Sequence, residues 1–198
     1  QRYGYECNLD KEGNGIPESE ELLSALLKRE GYHTACIGKW HLGALPSQQP
    51  KAKGFDTFYG LLAGHRSYFY NPQTRDKEGS LQQYQYNGRN LSFDGYFTDE
   101  LTSKAQKFIA ENNQPFMLYM SYTAPHSPNE ATKEDLARFK DQPRQKYAAM
   151  MYALDRGVGK IVDKLKETGQ FDNTIIFFLS DNGGSTTNQS SNLPLKGF

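Results

Sequence analysis

Leu22, Leu23, Leu26 and Leu27 fall at helical spacing between the acidic pair Glu20 and Glu21 and the basic pair Lys28 and Arg29. Apolar residues recurring at i, i+3 and i+4 mark one helix face, so this pattern predicts a helix over 19–30. Ser19 stands where an N-cap belongs and Gly31 supplies the stop. A short apolar run, Tyr32 to Gly38, follows and predicts a strand that ends where Lys39 begins.

The same order recurs twice. Thr98 opens a second helical pattern through about Asn112, with Leu101, Ala105, Phe108 and Ile109 on one face. After Pro115, FMLYMSY at 116–122 is too short for a helix and rich in aromatics, which predicts a second strand. A long helical pattern then runs from about Gln145 to Thr168 through Met151, Leu154, Val158, Ile161, Val162 and Leu165, and Gly169 ends it. NTIIFFLS at 173–180 is apolar without alternation, as a strand covered on both faces would be. Helix and strand in turn predict an α/β fold, a mostly parallel sheet flanked by helices.

Two stretches break the rhythm. Residues 64–95 are polar, tyrosine-rich and punctuated by Asn-Pro, Glu-Gly and Asn-Gly, which predicts loops and a small hairpin. Residues 184–198 are rich in Ser, Thr and Asn and predict another loop.

Composition narrows the function classes. The chain has 198 residues, with 23 Lys and Arg against 23 Asp and Glu, so it lacks the basic excess expected of a nucleic-acid binder. No run approaches the ~20 apolar residues of a membrane-spanning helix. Cys7 and Cys36 are too few for a disulfide framework or a cysteine zinc site. Cys36, inside an apolar stretch, is expected to be buried and inert.

The three predicted strands end alike, in GKWH, TAPH and SDNGG. Ligands of open α/β sheets bind beyond the carboxyl ends of the strands. Lys39, His41, His126, Asp181 and Asn182 are therefore expected on one edge. In an extended segment Lys39 and His41 point to one side while Trp40 anchors on the other. Two proton-bearing nitrogens aimed together suit a sulfate or phosphate, although each residue alone reads more simply as an exposed lysine or a core histidine. His126 could protonate a departing alcohol, or be a structural loop histidine. Asp181 and Asn182 offer hard oxygens of the kind Ca²⁺ or Mg²⁺ takes, and Asn-Gly is also a common turn dipeptide.

In combination these segments resemble one family. GYHTACIGKWHLG at 31–43 fills every fixed position of the second sulfatase signature, Gly-Tyr-x-Thr-x-x-x-Gly-Lys-Trp-His-Leu-Gly. TAPHSP resembles the family's Pro-His segment and FFLSDNGG its metal-binding strand end. KGFDTFYG at 53–60, YFTDELTSKAQKFI at 96–109 and MYALDRGVGKIVDKL at 151–165 also fit. The resemblance is to the type I sulfatases of the alkaline-phosphatase-like superfamily and spans essentially all of 1–198.

The resemblance implies a sulfuric-ester hydrolase, most readily of sulfated carbohydrate. Lys39 would contact sulfate and assist the nucleophile, and His41 would assist breakdown of the sulfated intermediate. His126 would bind sulfate or protonate the sugar oxygen, while Asp181 and Asn182 would supply part of a Ca²⁺ site. The 64–95 stretch would be a substrate-side insertion, with Arg66, Tyr68 and Tyr70 as candidate contacts. The family nucleophile is a formylglycine made by a maturation enzyme in a Cys-x-Pro-Ser-Arg-like motif, which the chain does not contain. It is expected upstream of Gln1, and a second catalytic lysine is expected just beyond Phe198, so no catalytic role falls on Lys196. An internal fragment of this kind would be inactive alone and would leave a sheet edge open to pairing. Export or a lysosomal location is the family habit. The alternatives are a phosphonate or phosphate monoester hydrolase of the same superfamily, and a pseudoenzyme that only binds sulfated glycans.

Overall fold

The computed structural model describes residues 15–71, 83–184, 191 and 193–194. QRYGYE at 1–6, Cys7, the 72–82 part of the tyrosine-rich stretch, Lys196 and nearly all of the last loop lie outside the described residues.

Strand β1 (His33–Lys39) runs between two parallel neighbours. It pairs with β2 (Thr57–Leu61) on one side and with β5 (Phe116–Ser121) on the other, Cys36 lying opposite both Phe58 and Tyr119. The hairpin β3 (Gln85–Tyr86) and β4 (Arg89–Asn90) extends the sheet antiparallel beyond β2, giving the order β4-β3-β2-β1-β5. Its two-residue turn is Asn87-Gly88 with φ of 49° and 83°. That is the type I′ geometry Asn-Gly favours, and it realises the hairpin expected in 64–95.

The five inner residues of β1 are buried on both faces, as a strand covered from both sides requires. Side chains along β1 and β2 alternate between two cores. Ile37, Tyr59 and Leu61 join Leu101, Ala105, Met150 and Leu154 beneath helices α2 (Phe97–Glu111) and α4 (Gln145–Glu167). Cys36, Phe58 and Leu62 join Trp40 and Phe55 on the other face. Gly38 makes the sheet possible at its centre. A Cβ there would stand 1.8 Å from the Ser121 carbonyl oxygen, and φ is 127°.

Several expectations shift for packing reasons. Helix α1 is Leu23–Arg29, shorter than 19–30, and Leu22 rather than Ser19 occupies its N-cap. Its buried residue is Ser24, whose hydroxyl donates to the Lys53 carbonyl at 2.5 Å, while Leu23 and Leu26 are exposed. The 50–54 turn lies so close that a Cβ on Gly54 would meet the Ala25 nitrogen at 2.4 Å, so the face with small side chains turns inward. Helix α2 begins one residue before Thr98, with Tyr96 at its N-cap. In α4 Leu154 and Leu165 of the expected stripe are buried and Val158 and Ile161 pack on the core, while Ala149, Met150, Ala153 and Gly157 take the closest contacts in place of Met151. Gly157 admits Thr102 and Tyr122, whose hydroxyls would both lie 2.6 Å from a Cβ placed there.

Two elements went unread in the sequence, β2 and the short helix α3 (Lys133–Arg138), capped where the Thr132 hydroxyl accepts the Asp135 N–H. Arg156 of α4 ties α3 to α2 by pairing with the buried Asp135 at 2.6 Å and with Asp99 at 3.0 Å.

The third predicted strand is a correction. Residues 174–180 form no ladder with any described residue, and Ile175, Phe177 and Leu179 are each more than 80% exposed. An apolar run forms a sheet strand only against a partner edge and two covering layers. Among the described residues nothing covers this one.

A candidate active site at the carboxyl ends of the parallel strands

Lys39 is the last residue of β1, half-buried at the sheet edge. The ladder continues for two residues, the N–H groups of Trp40 and His41 donating to the carbonyls of Leu61 and Leu62 at 2.9 and 3.0 Å. Trp40 is buried, edge-on to Phe55, and its indole N–H donates to the Gln48 carbonyl at 3.0 Å. It is therefore an anchor, as expected.

His41 reaches the site differently from the extended alternation anticipated. Its φ is 52°, a left-handed conformation that histidine adopts more readily than most side chains. The ring lies against Gly64, where a Cβ would stand 2.7 Å from its Cε1 and Nε2.

Electrostatics shows what this edge gathers. Burial, more than anything else, lowers the His41 pKa, and the charges of Lys39, His126 and His65 lower it further. Asp181 opposes them, and the result is about 4. His41 is thus a neutral imidazole at pH 7, set among cationic or ionisable neighbours from β1, from the loop after β2 and from the loop after β5. Charge gathered in this way is costly in a purely structural setting and recurs at functional sites.

His126 follows β5 in a turn closed by its own N–H to the Thr123 carbonyl at 3.0 Å. Its Nδ1 lies 2.8 Å from the Ser127 carbonyl oxygen. A carbonyl only accepts, so Nδ1 carries the proton and Nε2 is left to meet a ligand. His65 stacks on this ring, with centroids 5.4 Å apart and planes 19° from parallel. Both rings are exposed. His65 was not among the residues predicted from sequence. The signal was there, because it stands four residues beyond the end of β2, but β2 itself had not been read.

The tyrosines of the 64–95 stretch mostly turn inward. Tyr68 and Tyr84 are buried, Tyr70 is half-buried, and the guanidinium of buried Arg66 lies 4.4 Å from the Tyr84 ring centroid. Tyr68 is thus a core residue, and its hydroxyl donates to the His126 carbonyl at 2.9 Å.

Asp181 and Asn182 are exposed at the end of the unpaired segment, near enough for Asp181 to act on His41 and on Tyr119. Asp181 accepts the Asn182 N–H at 3.0 Å, and the Asn182 amide donates to the Gly183 carbonyl at 2.7 Å. Their oxygens have the hardness Ca²⁺ prefers, but that ion takes six to eight ligands. Among the described residues no group of three His, Cys, Asp or Glu side chains could hold a metal. The donor chemistry fits and the donor count does not.

Comparison with known proteins agrees with this geometry. The sequence model of the family described as Sulfatase matches residues 1–197. The chain is 34% identical over 212 residues to the uncharacterised sulfatase YdeN of Escherichia coli (strain K12), covering 92% of this chain and 36% of that protein. It is 35% identical over 180 residues to human N-acetylgalactosamine-6-sulfatase, covering 86% and 34%. Among solved structures it is similar to Ps i-CgsB in complex with k-i-k-neocarrahexaose, with a TM-score of 0.88 and 38% identity over all of this chain and 48% of that one. PsFucS1 sulfatase from Pseudoalteromonas sp. gives a TM-score of 0.64 at 27% identity, covering 86% and 41%. The chain thus spans about a third to a half of the length of these relatives. Its fold is that of the alkaline-phosphatase-like sulfatases, and the chain belongs to the sulfatase family.

Proposed function

We propose that residues 1–198 are the central part of a sulfatase catalytic domain whose complete protein hydrolyses sulfate esters of sulfated carbohydrates. The observation that carries this reading is the meeting of Lys39, His41, His65, His126 and Asp181 around one sheet edge. Sulfuryl transfer, like phosphoryl transfer, is mostly a matter of positioning and of holding cations near spread negative charge.

In this reading Lys39 binds a sulfate oxygen, and neutral His41 accepts a proton from an attacking or departing oxygen. When both of its ring nitrogens carry protons, His126 donates from Nε2 to the bridging oxygen of the sugar. Arg66, buried over the Tyr84 ring, would support the loop that carries His65 rather than contact the sugar. Asp181 and Asn182 would hold part of a divalent-ion site, with the remaining ligands from outside the described residues. Such an ion, Ca²⁺ by family habit, would supply positive charge beside the sulfate oxygens. The exposed apolar side chains of 175–179 support the domain reading, because they are what a strand awaiting its neighbours would present. The 64–95 stretch is the substrate-side insertion, and carrageenan-type oligosaccharide is the first substrate class to test, since Ps i-CgsB was solved with one. A formylglycine-generating enzyme would mature the protein. No helix among the described residues is long and apolar enough to cross a membrane, and export or a lysosomal location is proposed on family grounds.

The test is sulfate release by the full-length protein from neocarrahexaose and 4-nitrophenyl sulfate, beside phosphate or phosphonate release from matched esters. Sulfate release that Lys39→Ala lowers by about 10²–10³-fold is the expected result. Faster turnover of the phosphorus esters would move the activity to phosphonate or phosphate hydrolysis. Oligosaccharide binding without any turnover would make the protein a glycan-binding relative.

A further inference from the structure

The His65–His126 stack is held by a clamp that neither ring supplies. One carboxylate oxygen of Glu130 accepts both the Tyr68 N–H at 2.7 Å and the Ser67 hydroxyl at 2.9 Å. Tyr68 returns the connection by donating to the His126 carbonyl, and the Tyr96 hydroxyl donates to the Glu130 carbonyl at 2.8 Å. Tyr84 closes the set with a short hydrogen bond to the Ser67 carbonyl. The loop after β2 and the loop after β5 are therefore cross-linked beside the two histidines. Each imidazole stays exposed while the residues around it are tied down.

Two exposed rings side by side gain little from stacking in water, and they repel each other when both are protonated. The clamp keeps the pair together against that cost. What the pair offers outward is two exposed imidazoles, both near enough to act on His41. With His126 at the bridging oxygen, His65, whose ring centroid lies 5.4 Å away on the face of His126, falls beside the sugar. A sulfated sugar extends away from its sulfate as a row of hydroxyl and ring oxygens, the partners imidazole nitrogens bind.

We propose that His65 is a substrate-contacting residue that reads the sugar beyond the scissile oxygen, and that Glu130 is the positioning residue that holds it beside His126. This rests on the sulfatase reading of the site. His65 sets affinity for the oligosaccharide, and Glu130 acts only through the loop it fastens.

The experiment uses the full-length protein and neocarrahexaose. His65→Ala is expected to raise KM about tenfold while kcat changes less than about threefold, whereas His126→Ala lowers kcat. Glu130→Ala should reproduce the His65→Ala pattern, and Glu130→Gln, which keeps an accepting oxygen, should restore most of it. A His65→Ala loss confined to kcat, or no change in either constant, overturns the proposal. So does a Glu130→Gln variant as impaired as Glu130→Ala. A second readout needs neither turnover nor a variant. Imidazole ring signals of the wild-type protein, followed as neocarrahexaose is added, should shift for His65 and His126 together. A shift of His126 alone, or of neither ring, overturns the inference. Absence of sulfate release by the wild type overturns the sulfatase reading instead, and the ring signals still decide the role of His65.

Discussion

The two ends of β1 carry similar residue types and use them in opposite ways. At the amino end, His33 donates from Nδ1 to the Asn112 side chain at 2.8 Å, and Asp56 pairs with Lys28 at 2.6 Å. Asp56 also accepts the Thr34 N–H at 3.0 Å, while the Thr34 hydroxyl donates to the Gly54 carbonyl at 2.7 Å. Burial on its own would raise the Asp56 carboxyl, but Lys28 and the Thr34 donors outweigh it and hold the group below the usual carboxylate range. Each polar group there meets a complement from its own neighbourhood.

At the carboxyl end, one lysine and three imidazoles from three separate loops gather with Asp181 as the one acid, among the described residues, acting on His41. Burial and like charge hold His41 neutral, and the polar atoms that are fixed point back into the protein. The difference separates support from chemistry. A structural histidine such as His33 is satisfied by an acceptor beside it. Histidines of a site are anchored on one side so that the other can meet a ligand.

The contrast can be broken most severely where both ends share their backbone. Gly38→Ala would drive a methyl group into the β1–β5 contact at a positive φ, and a loss of about 4 kcal/mol or more is expected from strain of this kind. Denaturant unfolding of the full-length protein measures it; a change within 1 kcal/mol would mean that the strands separate more freely than this register implies. Lys39→Ala tests the carboxyl end. Removing one charge aimed at a developing anion is expected to cost about 10²–10³ in kcat, with the melting temperature nearly unmoved.

Asp56→Ala tests the amino end and should do the reverse. It leaves the buried Thr34 N–H without its acceptor, which costs about 1–3 kcal/mol, and kcat should stay within about twofold of wild type. An equal loss of activity would erase the division between the two ends. A further effect is expected in the acid limb of stability. His41 titrates at about 4 in the folded chain, below its ordinary value near 6.5. Between those values the unfolded chain binds a proton that the folded chain refuses, so stability falls as pH drops through that window. Asp56 contributes its own loss lower down, because its depressed carboxyl stabilises the fold above the usual carboxylate pKa and that stability disappears as protonation reaches the folded group. His41→Asn, which tolerates the same left-handed backbone, should flatten the upper part of the acid limb and leave the lower part unchanged. Chemical unfolding at a series of pH values separates the two.

Much of this site was legible because its residues sit at the ends of strongly apolar runs. Lys39 and His41 close the β1 run and His126 follows the β5 run, so the rule that α/β ligand sites form at carboxyl ends reached all three. His65 escaped that rule because Thr57–Leu61 is only five residues long and carries Thr, Tyr and Gly, too little apolar pattern to stand out. Glu130 had no local signal. Its meaning lies in two hydrogen bonds to residues more than sixty positions away. The reading of 173–180 erred in the other direction, since hydrophobicity reports a demand for burial and says nothing about whether a partner is at hand.

The chain by itself determined the longer helices, the strands β1 and β5, the family signature and most of the chemistry at the rim, because periodicity, capping and short-range motifs are properties of neighbouring residues. Which face of α1 and α4 turned inward was decided by how closely other segments approached, and small residues took the tight contacts. The left-handed placement of His41, the stacking of His65 on His126 and the tie between two loops through Glu130 were likewise tertiary outcomes. Each depends on atoms brought together across the sheet, and no local pattern encodes a distance between residues that only folding makes adjacent.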